Sequence, residues 1–182
     1  MNNSFLRTRI SAIGAPILII FYGLLRLVDV IKENQSHGFN WNLGHVLFFI
    51  AFILFGMLSL ELRKHIPHKT KSSMAPGYIF VIFVLFGAAC FLWGILGDLF
   101  NRLNSVPSLL KIIGPLLFQV GMLGLLIMLV VMRPQQLPFW SPILVLIGFL
   151  IFAINLNFLP IGGFIILFGL SPLIWQIRSK SQ

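Results

Sequence analysis

Charge is scarce in this sequence. Asp, Glu, Lys and Arg make up only 9% of the 182 residues, against roughly 25% in an ordinary soluble domain. Acidic residues are rarer still, with four in the whole chain. A soluble domain of this size needs far more polar surface to cover its exterior, so a water-soluble globule is excluded. Cys90 is the single cysteine, which rules out an intramolecular disulfide and a cysteine-rich metal motif. Strand-type alternation is missing. So are a His-Glu-x-x-His pair, a Gly-x-Ser-x-Gly elbow and a phosphate loop. Only His45 of the four histidines falls inside an apolar run, so paired axial ligation of a haem has no support. No cofactor, metal or catalytic residue is therefore expected, and nothing points to an enzyme.

What is present is apolar: 58% of the residues are hydrophobic and 19 are Phe, arranged in long unbroken runs. A bilayer-spanning helix needs about 20 consecutive apolar residues. Inside lipid every backbone N–H and C=O must be paired within the protein, which leaves helices or closed barrels. The runs therefore predict an all-α, polytopic transmembrane bundle forming one domain. Its six spans fall at 10–31, 43–62, 77–100, 109–132, 142–158 and 161–177. The first run is too long for a secretory h-region of about 7–15 residues and is read as a retained span. The last two spans come from one uncharged stretch, 142–177, too long for a single crossing. Asn155, Asn157, Pro160, Gly162 and Gly163 cluster at its middle, which is turn chemistry. A tight hairpin is expected there, with a re-entrant segment as the alternative.

The net charge of +9 would suggest nucleic acid in a soluble protein. Here the basic residues flank apolar runs, so topology accounts for them, and the expected partners are the lipid bilayer and other membrane proteins. With the N-terminus inside, nine of the 13 Lys and Arg residues fall on the cytoplasmic side and four outside. Positive charge marks the cytoplasmic face, so both termini are expected there, in the cell membrane. Six spans satisfy this and five do not. A faint echo runs through the chain at an offset of 70 residues. Gly44, Leu47, Phe48 and Arg63 are matched by Gly114, Leu117, Phe118 and Arg133, as in a parallel repeat of helical hairpins. Coincidence remains the alternative, because Leu and Phe are abundant.

The stretch Arg133-Pro134-Gln135-Gln136-Leu137-Pro138-Phe139-Trp140 lies between two apolar runs. It resembles the loop of many small, uncharacterised bacterial multi-span membrane proteins. In those a helix ends in Arg, a Leu-Pro-x-Trp turn follows, and a Gly-containing span resumes, here at Gly148. The resemblance covers residues 114–167 and implies a bacterial membrane location without implying a chemistry.

A polar residue at depth in a membrane helix is a functional candidate, and helical phase shows which ones share a face. Ser11, Ala15, Tyr22, Arg26 and Asp29 share one stripe of the first span. His45, Phe52, Gly56, Ser59 and Arg63 share one in the second, and Gly87, Cys90, Gly94, Gly97 and Asp98 one in the third. Small residues mark close helix contacts, so Gly87, Gly94 and Gly97 are expected to pack at the centre and to turn Asp98 inward. Arg26, Asp29, His45 and Asp98, joined by Arg102, then form a candidate polar cluster in the outer third. It is either a structural ion-pair network or an outward-opening site in which His45 titrates near neutral pH. On the inner side, 63–71 is the most charged segment, and its Arg63, Lys64, Lys69 and Lys71 are either the orientation signal or a contact for anionic lipid. Glu61 is expected to snorkel to the same surface. With such short loops, the functional expectation is a structural, interaction or accessory component of the membrane. The alternative is a small transporter or permease-like protein using the outer cluster.

Overall fold

The computed structural model describes residues 3–31, 38–66, 71–100, 106–135 and 137–175. Among them no strand occurs. The helices are α1 (Asn3–Ile31), α2 (Phe39–His65), α3 (Lys71–Leu99), α4 (Ser108–Met132), α5 (Trp140–Ile154) and α6 (Leu159–Trp175), with a 3-10 turn at Leu156–Phe158. Five stretches are long and apolar enough to cross a membrane: Ser4–Ile31, Phe39–His65, Ala75–Leu99, Ser108–Met132 and Leu156–Ile174. The chain is thus an all-α protein with the composition of a multi-pass membrane protein. α5 is shorter. Its 15 residues rise about 22 Å at 1.5 Å each, against a hydrocarbon core of about 30 Å.

The helices overrun the apolar runs. α1 begins at Asn3, not residue 10, and α2 continues to His65. Arg63 and Lys64, expected in a loop, are therefore helical. The reason is a polar match between the two ends. Ser4 and Thr8 stand one turn apart on α1 and meet Glu61 and His65, one turn apart on α2. Each helix thereby gives the other's polar extension a partner beyond the apolar zone.

The expected hairpin near residue 155 is present, but its turn is tighter than the residue types suggested. α5 stops at Ile154, and the Asn155 side chain accepts a bond from the Asn157 N–H at 2.9 Å. α6 then begins at once. Pro160 sits in its first turn, where a missing N–H costs nothing. Gly162 and Gly163 lie inside α6, not in the turn. A Cβ on Gly162 would stand 2.7 Å from the Gly148 carbonyl oxygen, and one on Gly163 would stand 2.7 Å from Ile20 Cγ1. These glycines let α6 approach α5 on one side and α1 on the other.

Sequential helices are antiparallel neighbours, and α1 packs extensively on α6, which closes the six helices into a ring. The described chain therefore starts and ends at the same end of the bundle. Phenylalanine fills the middle. Phe52 stacks on Phe91 at 4.0 Å, and Phe118 stands edge-on to Phe52, Phe91 and Phe149 at 5.2, 5.8 and 5.4 Å. Such pairs contribute about 0.5–1.5 kcal/mol each beyond area burial. That matters in lipid, where packing rather than escape from water holds helices together. Around the outside, Phe21, Ile82, Leu116, Phe164 and Phe168 are all more than half exposed. An apolar exterior of this kind suits acyl chains.

Close packing of α3 on α4 runs through Gly87, Gly114, Gly121 and Gly124. A Cβ on Gly87 would lie 2.5 Å from the Gly114 carbonyl oxygen. Gly94 and Gly97 do not belong to this contact: among the described residues the nearest atom to a Cβ on Gly94 is Val106 Cγ2 at 3.9 Å, and none comes within 4 Å of one on Gly97. The tight helix pair ends at Cys90 and Gly114, so the expected inward stripe is correct only at its lower half. The echo at an offset of 70 has a local counterpart. Gly44 faces Tyr22 of the preceding helix, as Gly114 faces Cys90.

Candidate functional site

The two ends of the ring differ in charge. One end gathers the start of α1, the end of α2, the start of α3 and the end of α4, and with them Arg7, Arg63, Lys64, His65 and Arg133. Glu61 is the carboxylate there. The other end holds Arg26, Asp29, His45, Asp98 and Lys111.

At that second end His45 is the centre. It is 3% exposed, enclosed by Tyr22 and by Trp41, whose ring centroid is 4.3 Å away. Its Nδ1 is 2.8 Å from the Trp41 carbonyl oxygen. A carbonyl only accepts, so Nδ1 carries the hydrogen. Nε2 then faces Asp98 Oδ2 at 3.7 Å, an ion-pair distance longer than a hydrogen bond. Asp98 does not turn inward. Its side chain is 63% exposed.

Asp29 accepts a bond from Asn40 Nδ2 at 3.1 Å, and among the described residues no ion pair joins it to Arg26. The Arg26 side chain lies instead beside Tyr22, one turn back. Four of the five expected members of the cluster thus sit at one end, but only His45 and Asp98 face each other. Arg102 lies outside the described residues.

At the basic end the structure reveals a more enclosed arrangement than the sequence suggested. Glu61 is 4% exposed rather than reaching into solvent. Its Oε2 accepts from the Ser4 hydroxyl at 2.5 Å and its Oε1 from Lys64 Nζ at 2.8 Å. The side chain is shielded at the rim by these two partners rather than by depth. Arg63 is 6% exposed. Its guanidinium lies 4.2 Å from the Tyr78 ring centroid, and its stem passes over Gly77, where a Cβ would stand 2.8 Å from Arg63 Cδ. Lys64 remains largely exposed, and Lys71 opens α3. Lys69 lies outside the described residues.

Ser4, Arg7, Gly77 and Tyr78 belong to this constellation and were not singled out from sequence. One signal was available. Ser4, Arg7 and Thr8 stand three and four residues apart, a polar stripe on a helix, written into a segment that looked like a simple basic leader. Comparison with protein-family models, with curated proteins and with solved structures found no match to this chain.

Proposed function

We propose that this chain is a six-span protein of the cytoplasmic membrane, with its basic end and both termini facing the cytoplasm. It acts as a structural or accessory component through its lateral surface and its basic rim. The observation that carries this reading is the phenylalanine stack of Phe52, Phe55, Phe91, Phe118 and Phe149 across the ring. These rings fill the space between α2, α3, α4 and α5 with apolar contacts rather than a polar lining. The charge difference between the two ends supports the orientation, since Lys and Arg favour the cytoplasmic side. The likeness of 133–140 to small bacterial multi-span proteins agrees with that location. For α5 to count as a sixth span, the bilayer thins locally or the helix ends anchor in the interface. Phe139, Trp140 and Asn155 at those ends suit that.

Extraction from native membranes in a mild detergent, followed by mass analysis, tests this function. A partner retained at fixed stoichiometry is the expected result, and a strictly solitary chain counts against it. The second reading, a permease with an outward-facing polar site, draws on the facing of His45 and Asp98. It needs water to reach the bundle axis. A cysteine at Phe118 in a Cys90→Ser background that reacts with a water-soluble maleimide favours that reading over ours.

A further inference from the structure

We infer that the groove between the basic ends of α1, α2 and α3 is a binding site for one anionic phospholipid. It takes the phosphate between Arg7, Arg63 and Lys64, and one acyl chain along the outer face of α2. This rests on the reading that the chain spans a membrane with this end at headgroup depth.

The groove is an open cleft of about 390 Å³. Three cations line it against a single carboxylate, Glu61, and that carboxylate already accepts bonds from Ser4 and Lys64. The groove thus keeps an excess of positive charge and suits an anion. Its floor is set before any ligand arrives. Arg63 is held against Tyr78 and Gly77, so little side-chain freedom is left to lose on binding.

The neighbouring surface decides which anion. Ile53, Met57 and Leu60 stand four and three residues apart on α2, so they form one stripe, and each is about two-fifths exposed. The stripe leads into the groove, where Met57 and Leu60 are lining residues, and ends one turn later at Lys64. On α3, Tyr78, Ile82 and Leu85 are exposed in parallel, and Leu85 closes the gap to Gly56 of α2. The two stripes form an exposed apolar surface that continues from the charged groove. A free phosphate or nucleotide would leave it unused. A diacyl anionic phospholipid matches both parts, and clustered Lys and Arg beside a span attract such headgroups.

The test is native mass spectrometry of the full chain with added phosphatidylglycerol, phosphatidylcholine or glycerol phosphate, with thermal unfolding in parallel. One retained phosphatidylglycerol and an upward shift in Tm are expected, with neither from phosphatidylcholine nor glycerol phosphate. Arg7→Gln with Lys64→Gln should weaken retention by at least about tenfold, the scale of losing two basic groups beside a membrane surface. Arg7→Gln alone changes one exposed residue, so it reads the site even where the double variant does not fold, and it should weaken retention several-fold. Arg133→Gln, at the same end but outside the groove, should retain the lipid fully. Equal retention of both lipids overturns the proposal. So does an equal loss in Arg133→Gln, which would mean diffuse charge, or binding of glycerol phosphate as tight as that of the lipid. Release of the chain from membranes by alkaline carbonate would instead defeat the membrane reading itself. An integral protein without lipid preference defeats only this site.

Discussion

Glu61 and Asp98 are both carboxylates near a helix end with a basic residue in reach, yet their surroundings differ. Glu61 is almost covered and accepts two bonds, from Ser4 and Lys64. Asp98 is 63% exposed and faces His45 across 3.7 Å. Removing the first acceptor breaks two hydrogen bonds, from a half-buried hydroxyl and a largely exposed ammonium, to a nearly covered carboxylate, whereas the second contact is of the exposed kind that contributes little. Glu61→Ala is therefore expected to cost about 1–3 kcal/mol, and Asp98→Asn less than about 1 kcal/mol. Thermal unfolding of both variants in the same detergent checks the order. An Asp98 variant less stable than the Glu61 variant would show that the outer pair, not the inner one, is structural. Phe52 offers a third measure at this scale. It stacks on Phe91 and is 2% exposed, so Phe52→Ala should cost about 3–5 kcal/mol, read as a large loss in Tm or in accumulation.

Among the helices, α3 and α4 pack without space for a single added carbon over half their length. A Cβ at Gly87 would meet the Gly114 carbonyl oxygen at 2.5 Å and the Phe118 backbone nitrogen at 2.6 Å. Neither atom can move aside without its helix. Gly87→Ala should therefore destabilise by about 1–3 kcal/mol through overpacking. Gly97→Ala, with no described residue in contact range, should be neutral or stabilise by up to about 1 kcal/mol, the usual helical preference for Ala over Gly. Comparing the two Tm values in one detergent gives the sign directly, and a reversed order would move the close contact toward the Asp98 end. The same small residues that read as one stripe in sequence thus divide into a packed half and an open half. Helical phase tells which residues share a face, but not where along that face the partner helix leaves.

For the whole molecule, ring closure is the contact farthest apart in sequence. α1 meets α6 where a Cβ on Gly163 would stand 2.7 Å from Ile20 Cγ1, the place a cysteine sulfur would take. Ile20→Cys with Gly163→Cys in a Cys90→Ser background should form a disulfide under mild oxidant, seen as a mobility shift on non-reducing electrophoresis. No shift would mean that the ring is open in the membrane. The ring also places the two ends of the described chain together. A reporter fused after Gln182 is expected on the same face as one fused before Met1, and on the cytoplasmic side. Opposite faces would leave an odd number of crossings and demote α5 to a re-entrant segment.

Helical class, the positions of the long apolar runs and the break near Asn155 were legible in the amino-acid sequence alone. Each follows from a local rule: apolar length, backbone satisfaction in lipid, and turn chemistry. The separation of charge between the two ends was legible for the same reason, because alternating spans sort the flanking residues. The sequence could also nominate His45 and Asp98, since a polar residue in an apolar run stands out without any partner being known. Only tertiary structure decided that Asp98 stays at the open rim, that Arg26 turns to Tyr22, and that Asp29 takes Asn40. It also decided that Arg7, Glu61, Arg63 and Tyr78 build a groove from three helices. Those outcomes depend on which helix ends meet and at what depth, and on where a neighbouring glycine lets a backbone come close. Contacts across 57 residues from Ser4 to Glu61, or from Gly163 back to Ile20, have no local signature, because the side chains that make them are chosen by the packing of whole helices.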